Sequence, residues 1–440
     1  MTSSPIHAPL VGIGFGPAGI ALAVALSDDH EFAGAEPHSL GLHDAVFLER
    51  AEDSAWQPGM ILPGTDIQHH FLRDFSTPRF PSSRFGFVQY LHAKGRLYPF
   101  TLKSGYVSRS EWSDYCLWVA EQVRADVRYR TEVTALEPVV EGADLVAVDV
   151  VARALDDGTE RRLRTTRLVL STGHQPVIPE QFRGALGPRV FHSSQFSAMW
   201  SRLDRPRRVA VLGGGQNAGE ILLHLHATTD VDLVSIVRNS GIRTFDLGHF
   251  SNQAYWPQET DYFYALPGPA RRTVFEEQHG TNYAAVDGDV SHGLYQAWYE
   301  GEVTGRQRLT MLKRTVVRSV VDLGDQVRLE LQDRHTGESC ALTVDAVIIG
   351  TGYAEEPFPA VLEPMREHVA VDEDGLPEIS RDFELRLSGN SPVQLYLNGM
   401  SERRHGIANA TSFSVMALRA GQISAAARAK DASPELTTLR

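Results

Sequence analysis

The run Pro9-Leu-Val-Gly-Ile-Gly-Phe-Gly-Pro-Ala-Gly-Ile-Ala-Leu-Ala-Val-Ala-Leu26 decides how the chain begins to fold. It reads as a short apolar strand, a tight glycine turn and an Ala/Leu-rich helix. The start of such a helix offers free N–H groups and a partial positive charge, which suit the doubly anionic pyrophosphate of a dinucleotide. Gly12 and Gly14 fit the turn, and Gly16 to Gly19 continue the tight start. The third glycine position holds Pro17, which is acceptable because the first helical turn does not need its N–H. Glu49 ends the next buried strand, Val46-Phe-Leu-Glu49, and can accept a hydrogen bond from an adenosine ribose hydroxyl. It lies beyond the usual ~20-residue spacing, and the polar loop Ser27 to His43 absorbs the excess.

The pattern recurs at Val209-Ala-Val-Leu-Gly-Gly-Gly-Gln-Asn-Ala-Gly-Glu-Ile-Leu-Leu-His-Leu225, again strand, turn and helix. Gly213 and Gly215 make the turn, Ala218 takes the third position, and Gln216 and Asn217 open the helix. The following strand, Val231 to Val237, ends at Arg238. An acidic residue there would repel a 2′-phosphate, whereas an arginine pairs with it, so NADPH is expected over NADH. Two such units in one chain point to a flavoprotein with FAD in the first site and the hydride donor in the second. The expected fold class is α/β, with Rossmann-like FAD and NADPH domains and a small helical substrate-binding region. The expected FAD domain is 1–205, completed by 345–440. The NADPH domain is 206–344, with 246–306 as the substrate-binding helical insertion. Two stretches, 54–110 and 240–280, lack regular periodicity, and irregular segments of that length inside a compact protein are usually functional.

Composition narrows the class. The chain has 440 residues, enough for two or three domains, with 42% hydrophobic and 22% charged residues. A formal charge of −13 argues against nucleic acid or an anionic membrane as partner. No apolar run approaches a membrane span, and Met1 to Leu10 does not read as a secretory signal, so a cytoplasmic location is expected. Cys116 and Cys340 are too far apart for a CxxC, which sets aside the disulfide reductases that share such glycine turns. No metal site is expected: His69 and His70 are adjacent and lack an acidic cluster at ligand spacing.

Further segments carry a resemblance to a family. They are Phe47-Leu-Glu-Arg50, Ala55-Trp-Gln-Pro-Gly-Met60, Phe71-Leu-Arg-Asp74, Ser83-Arg-Phe-Gly-Phe-Val-Gln-Tyr-Leu-His92, Thr281-Asn-Tyr283, Ile348-Ile-Gly-Thr-Gly-Tyr353 and Ser414-Val-Met-Ala-Leu-Arg-Ala-Gly421. With the two glycine turns, these make nearly the whole chain similar to the microbial flavin-dependent N-hydroxylating monooxygenases typified by L-ornithine and L-lysine N-hydroxylases. The resemblance implies hydroxylation of a primary amine through a flavin C4a-hydroperoxide guarded by retained NADP⁺, with O₂ as co-substrate. It implies a homo-oligomer, commonly a tetramer. It places Trp56, Pro58 and Met60 near the flavin, Gln68 over the isoalloxazine, Arg109 as an anchor of the cofactor domain, and Gln216 and Asn217 along the NADPH phosphates.

The chain departs from that family where substrate is bound. Arg73 stands where the family has a lysine that clamps the substrate carboxylate, with Asn282 as the partner position. Arg keeps the charge but adds a planar fork. His69 and His70 follow Gln68, and Arg403, Arg404 and His405 precede an altered stretch, Ala408-Asn-Ala-Thr-Ser-Phe413. Together these changes predict a more cationic pocket suited to a second carboxylate. The α-amine of L-aspartate, oxidised on to nitrosuccinate, is therefore the leading expectation. The alternative is side-chain N-hydroxylation of L-ornithine or L-lysine in siderophore or related biosynthesis. A flavoprotein reductase or oxidase that oxygenates no amine is the remaining class.

Overall fold

The computed structural model describes residues 4–32, 40–103, 105–410 and 412–429. Leu10–Ile13, buried throughout, is the central strand of a five-stranded sheet. The order across that sheet is Gln394–Leu397, Arg167–Leu170, Leu10–Ile13, Ala45–Leu48, Asp126–Arg128, and every pairing is parallel. Strands of parallel sheets are covered on both faces, which is why they read as continuous apolar runs. A second sheet repeats the plan. Its order is Val190–His192, Ala346–Ile349, Arg208–Leu212, Asp232–Ile236, Leu309–Leu312, again all parallel. Each sheet's return strand, Arg167–Leu170 or Ala346–Ile349, follows antiparallel strands: Thr131–Glu141, Asp144–Ala154 and Glu160–Thr165 in the first, Thr315–Asp322, Val327–Asp333 and Ser339–Val344 in the second. The two units are thus duplicated in topology. Two strands outside the expected 206–344 span, Val190–His192 and Ala346–Ile349, complete the second sheet.

Both stretches without periodicity contain regular elements. Within 54–110 lie the strand Asp66–His70 and the helices Phe87–Ala93 and Leu97–Phe100. Within 240–280 lie the helices Pro257–Ala265 and Gly268–Gln278. Pro257 and Pro269 fall in their first turns, a start signal that was legible in the sequence. The helix Gly288–Thr304, inside the expected substrate insertion, belongs instead to the second unit's core. Its Val290 and Leu294 join Ile221, Leu222 and Leu225 of the helix Gln216–Thr228.

The structure corrects the register of the first turn: with the strand ending at Ile13, the fingerprint is Gly14-x-Gly16-x-x-Gly19, matching Gly213-x-Gly215-x-x-Ala218 after Leu212, so the third position is Gly19 and not Pro17. The first glycine of each turn is fixed by the sheet behind it. Gly14 has φ +92°, and a Cβ there would lie 2.5 Å from the carbonyl oxygen of Ser171, just past the return strand. Gly213 has φ +131°, and its Cβ would lie 2.1 Å from the carbonyl oxygen of Gly350, the equivalent position. Neither site admits a side chain, whatever is bound. Gly12 sits inside its strand, where a Cβ would meet the Phe47 ring at 2.4 Å. Gly16 differs: nothing lies within 4 Å of an added Cβ. Gly14→Ala is therefore expected to abolish folding of the first unit, read as loss of soluble protein or of the cooperative thermal transition. Gly16→Ala should fold with near-native circular dichroism and melting and yet retain dinucleotide poorly. Normal retention in Gly16→Ala would show that no ligand approaches that backbone.

Candidate active site

The two turns open into one cleft of about 1160 Å³. Gly14, Gly16, Pro17 and Glu49 line its first-unit end; Gly213, Gly215, Gln216 and Asn217 line its second-unit end. Trp56, Gln68, Arg109, Arg238 and Asn282 also line it. Four expected residues do not. Gly12 is inside the sheet, Pro58 is exposed at the start of the short turn Pro58–Met60, Met60 is buried at 1% exposure against the second unit's core with Phe191 and Phe196, and Arg73 stands behind the wall. Glu49 already accepts from the N–H of Phe15 (2.6 Å) and of Ala51 (2.7 Å), so it ties the strand end to the glycine turn. Each of its oxygens keeps a second lone pair for a hydroxyl.

Arg109 opens the helix Arg109–Val123 and is 4% exposed. It donates to the carbonyls of Asp66 (3.2 Å) and Met60 (3.3 Å) and pairs with Glu220 of the second unit at 2.8 Å. Beside this pair lies a residue that the sequence did not single out, Asp287. Its Oδ2 accepts from the side-chain amides of Gln68 (2.7 Å) and Gln216 (3.1 Å), and its N–H donates to Gln216 Oε1 (2.8 Å). Gln216 also donates to Glu220 (2.9 Å), so its side chain is engaged within the protein and only its backbone N–H remains for a phosphate. With Nε2 committed to Asp287, Gln68 keeps Oε1 as its free acceptor. Burial pushes the Glu220 carboxyl up to about 7 and Asp287 up to about 6, and raises Asp66 as well, against the opposing charge of Arg109. Gln57, Gln68 and Ala284, all at the cleft, have φ of +47°, +58° and +55°; left-handed backbone at non-glycine residues gathers at functional sites.

At the substrate end, Arg73 is half-buried and its Nη1 donates to Ser414 Oγ (2.8 Å), which also accepts from Ser412 Oγ (3.0 Å). Arg73 has no carboxylate partner among the described residues. Asn282 lines the cleft, and the hydroxyl of its neighbour Tyr283 donates to Glu402 at 2.6 Å. Glu355 accepts from the Glu402 N–H at 2.8 Å, so both carboxylates are engaged within the protein. Phe413 packs between Trp56, His69 and Trp112, at centroid distances of 5.4, 5.6 and 4.8 Å. Burial, and then the Arg73 charge, push His69 down to about 3, so its ring is uncharged at neutral pH.

The expected cationic pocket is corrected by these positions. His70 is exposed and stacks on Phe71. Arg403 is exposed, Arg404 lies over the Tyr264 ring at 4.1 Å, and His405 is buried on Phe383 with its ring bonded to the Ser380 carbonyl. None of the four lines the cleft. The basic corner lies instead at the far end. There Arg238 and Arg243 are exposed without an acidic partner among the described residues, and burial together with both arginines depresses His279.

A duplicated parallel-sheet fold with two glycine-turned helices opening on one cleft defines a two-dinucleotide enzyme. The description of the L-lysine 6-monooxygenase/L-ornithine 5-monooxygenase family matches residues 7–355, and the chain belongs to that family. An L-ornithine N(5)-monooxygenase of Pseudomonas aeruginosa is 34% identical over 96% of this chain and 94% of its own length. The structure of the Kutzneria sp. 744 ornithine N-hydroxylase, named with reduced FAD, NADP⁺ and L-ornithine, superposes with TM-score 0.90 at 32% identity, covering 97% and 100% of the two chains. The L-lysine 6-monooxygenase of Pseudomonas syringae superposes with TM-score 0.85 at 38% identity, over 97% and 100%. No helix among the described residues is long and apolar enough to cross a membrane.

The buried cluster has a pH signature. Glu220 and Asp287 titrate higher in the folded protein than in the unfolded chain, so folding takes up protons and these groups lower stability as pH rises from about 4 to 7. Removing Arg109 takes the cation from among them and raises both further. Arg109→Met should therefore cost about 3–5 kcal/mol at pH 8 and distinctly less at pH 5.5, read from denaturation of variant and wild type at both values. Buried histidines act the opposite way, equally in both proteins, and cancel in the difference. A cost independent of pH would mean that Arg109 acts by packing alone.

Proposed function

We propose that this chain is an FAD- and NADPH-dependent monooxygenase that hydroxylates the side-chain amine of L-ornithine. The observation that carries the reading is the single cleft onto which both helix N-termini, the Gln68 amide and Asn282 open. When bound, FAD and NADPH supply hydride transfer and the activation of O₂. The residues of the chain do the rest. The two helix starts hold the pyrophosphates. Arg238, with Arg243 beside it, takes the 2′-phosphate that distinguishes NADPH. Asp287 fixes the Gln68 amide so that its oxygen is the group presented to the cleft. Trp56, His69 and Phe413 form an aromatic wall that excludes water from the reacting amine.

Three points favour a basic amino acid over aspartate. Among the described residues the end of Arg73 meets only a serine hydroxyl, so one α-carboxylate completes it, whereas His70, Arg403, Arg404 and His405, expected to meet a second carboxylate, do not line the cleft. His69 is uncharged and does not repel an incoming ammonium. The curated relatives at 34% and 35% identity are both named for ornithine. Lysine is one methylene longer, a difference worth about 1–3 kcal/mol in a fitted pocket.

The test is a panel of L-ornithine, L-lysine and L-aspartate with NADPH and labelled O₂, products identified by mass spectrometry. N5-hydroxyornithine carrying one labelled oxygen is the expected product. Nitrosuccinate from aspartate would restore the dicarboxylate reading, and H₂O₂ with no oxygenated amine would place the chain among oxidases. Arg73→Ala should lower kcat/KM for the active amino acid by roughly thirtyfold to several thousandfold, the range for truncating one partner of a buried charged pair, about 2–5 kcal/mol. Reduction by NADPH should persist in that variant with O₂ use diverted to H₂O₂; intact turnover would move the carboxylate clamp elsewhere. Arg238→Ala should reduce the preference for NADPH over NADH by about tenfold or more, the scale of one hydrogen bond to a charged group. An unchanged preference would assign the 2′-phosphate to Arg243 alone.

A further inference from the structure

Arg419 projects from the C-terminal helix Met416–Ala429 into the wall of the cleft and is 2% exposed. Its Nε donates to Asn398 Oδ1 at 2.9 Å, while Nη1 is buried without any hydrogen-bond partner. No carboxylate pairs with it among the described residues. The titratable group that feels it is His174, which burial and the Arg419 charge hold near 4, so that ring is neutral too. Burial lowers the guanidinium to about 10, which leaves it charged at neutral pH. A buried charge without a counter-charge is costly and survives where something else supplies the partner.

The surroundings say where that partner lies. Asn398 donates through Nδ2 to the Ala18 carbonyl (2.9 Å) and to Ser171 Oγ (3.1 Å), so Arg419, Asn398 and the first turn form one assembly. Gly399 lies between: an added Cβ there would be 3.1 Å from Arg419 Nη2 and 3.8 Å from Ala18 Cβ. With no side chain at 399, the guanidinium stands about one side chain's width from the start of the helix that opens the first nucleotide site. We infer that Arg419 is a cofactor-binding residue whose buried guanidinium receives an anionic group of bound FAD. This rests on the assignment of FAD to the first site. Two parts of FAD carry the right charge: the pyrophosphate, and the pyrimidine edge of the ring system, where negative charge gathers on reduction.

The experiment compares wild-type holoenzyme with Arg419→Gln, which keeps a donor for Asn398 but removes the charge. FAD release on dialysis and the flavin midpoint potential are both read. A tenfold or greater loss of affinity at unchanged potential assigns Arg419 to the pyrophosphate. Near-native affinity for oxidised FAD with the potential lowered by about 30 mV or more, equivalent to a tenfold weaker hold on the reduced form in a two-electron couple, assigns it to the ring edge. Native affinity together with native potential overturns the inference. If Arg419→Gln yields no folded holoenzyme, Arg419→Lys carries the test, because a point charge cannot reproduce the fork. It should weaken affinity or lower the potential in the same sense by at least threefold, and wild-type values for both overturn the inference. Wild-type protein that binds no FAD would instead refute the assignment of the first site, so the two failures are distinguishable.

Discussion

The pairing of Arg109 with Glu220 holds together most of what the cleft requires. An uncompensated guanidinium is costly in a protein interior, and this one is matched by two carbonyls of the first unit and one carboxylate of the second. The carbonyls belong to the segment that carries Met60 and Asp66, so the ion pair fixes the approach to Gln68. The carboxylate belongs to the helix that starts at Gln216, so it also fixes the second glycine turn. Asp287 extends the network by drawing both glutamine amides onto one oxygen. The two units are therefore held in register by buried polar chemistry beside Gln68 and the second glycine turn.

Duplication explains the rest of the frame. Each unit places its first glycine against the carbonyl that follows its return strand, Ser171 in one and Gly350 in the other. The constraint is internal to the sheet and would hold with the cleft empty or filled. The positions shaped for function are those the sheet does not dictate: Gly16, open to the cleft, and the left-handed Gln57, Gln68 and Ala284. Gln68 keeps its unfavourable backbone because its N–H is bound by Asp66 and its amide by Asp287. Local strain of about 1–3 kcal/mol is held there by hydrogen bonds on both sides.

Charge is distributed along the cleft in a way that bears on the choice of substrate. Among the described residues, arginines without acidic partners include Arg238 with Arg243 at the second site, Arg419 at the first, and Arg73 behind the aromatic wall. These are the places where a 2′-phosphate, an anionic part of FAD and an amino-acid carboxylate would each be met. The stretch Arg403-Arg404-His405 contributes to none of them. It folds as a short helix whose side chains rest on Tyr264, Phe383 and solvent. Counting basic residues near a pocket in sequence overstates its charge, because adjacent residues on a helix point in different directions.

The sequence alone determined the duplicated strand–turn–helix units, the cation at Arg238 and the family, because a glycine turn between a buried strand and a helix is a local pattern that few folds use. It also placed Gln68, Trp56, Asn217 and Asn282, which do line one cleft, and part of the helical content of 240–280 was legible in Pro257 and Pro269. What it did not determine depends on contacts across long sequence separations. Asp287 meets Gln68 across 219 residues and Gln216 across 71, and Tyr283 meets Glu402 across 119. Arg419 reads as one polar residue in an alanine-rich helix until the fold brings it to Asn398 and Ala18. The direction of His69 and His70 was undecided for the same reason. Neighbours in a strand face opposite ways, and only the packing of Phe413 and Phe71 selects which histidine enters the cleft.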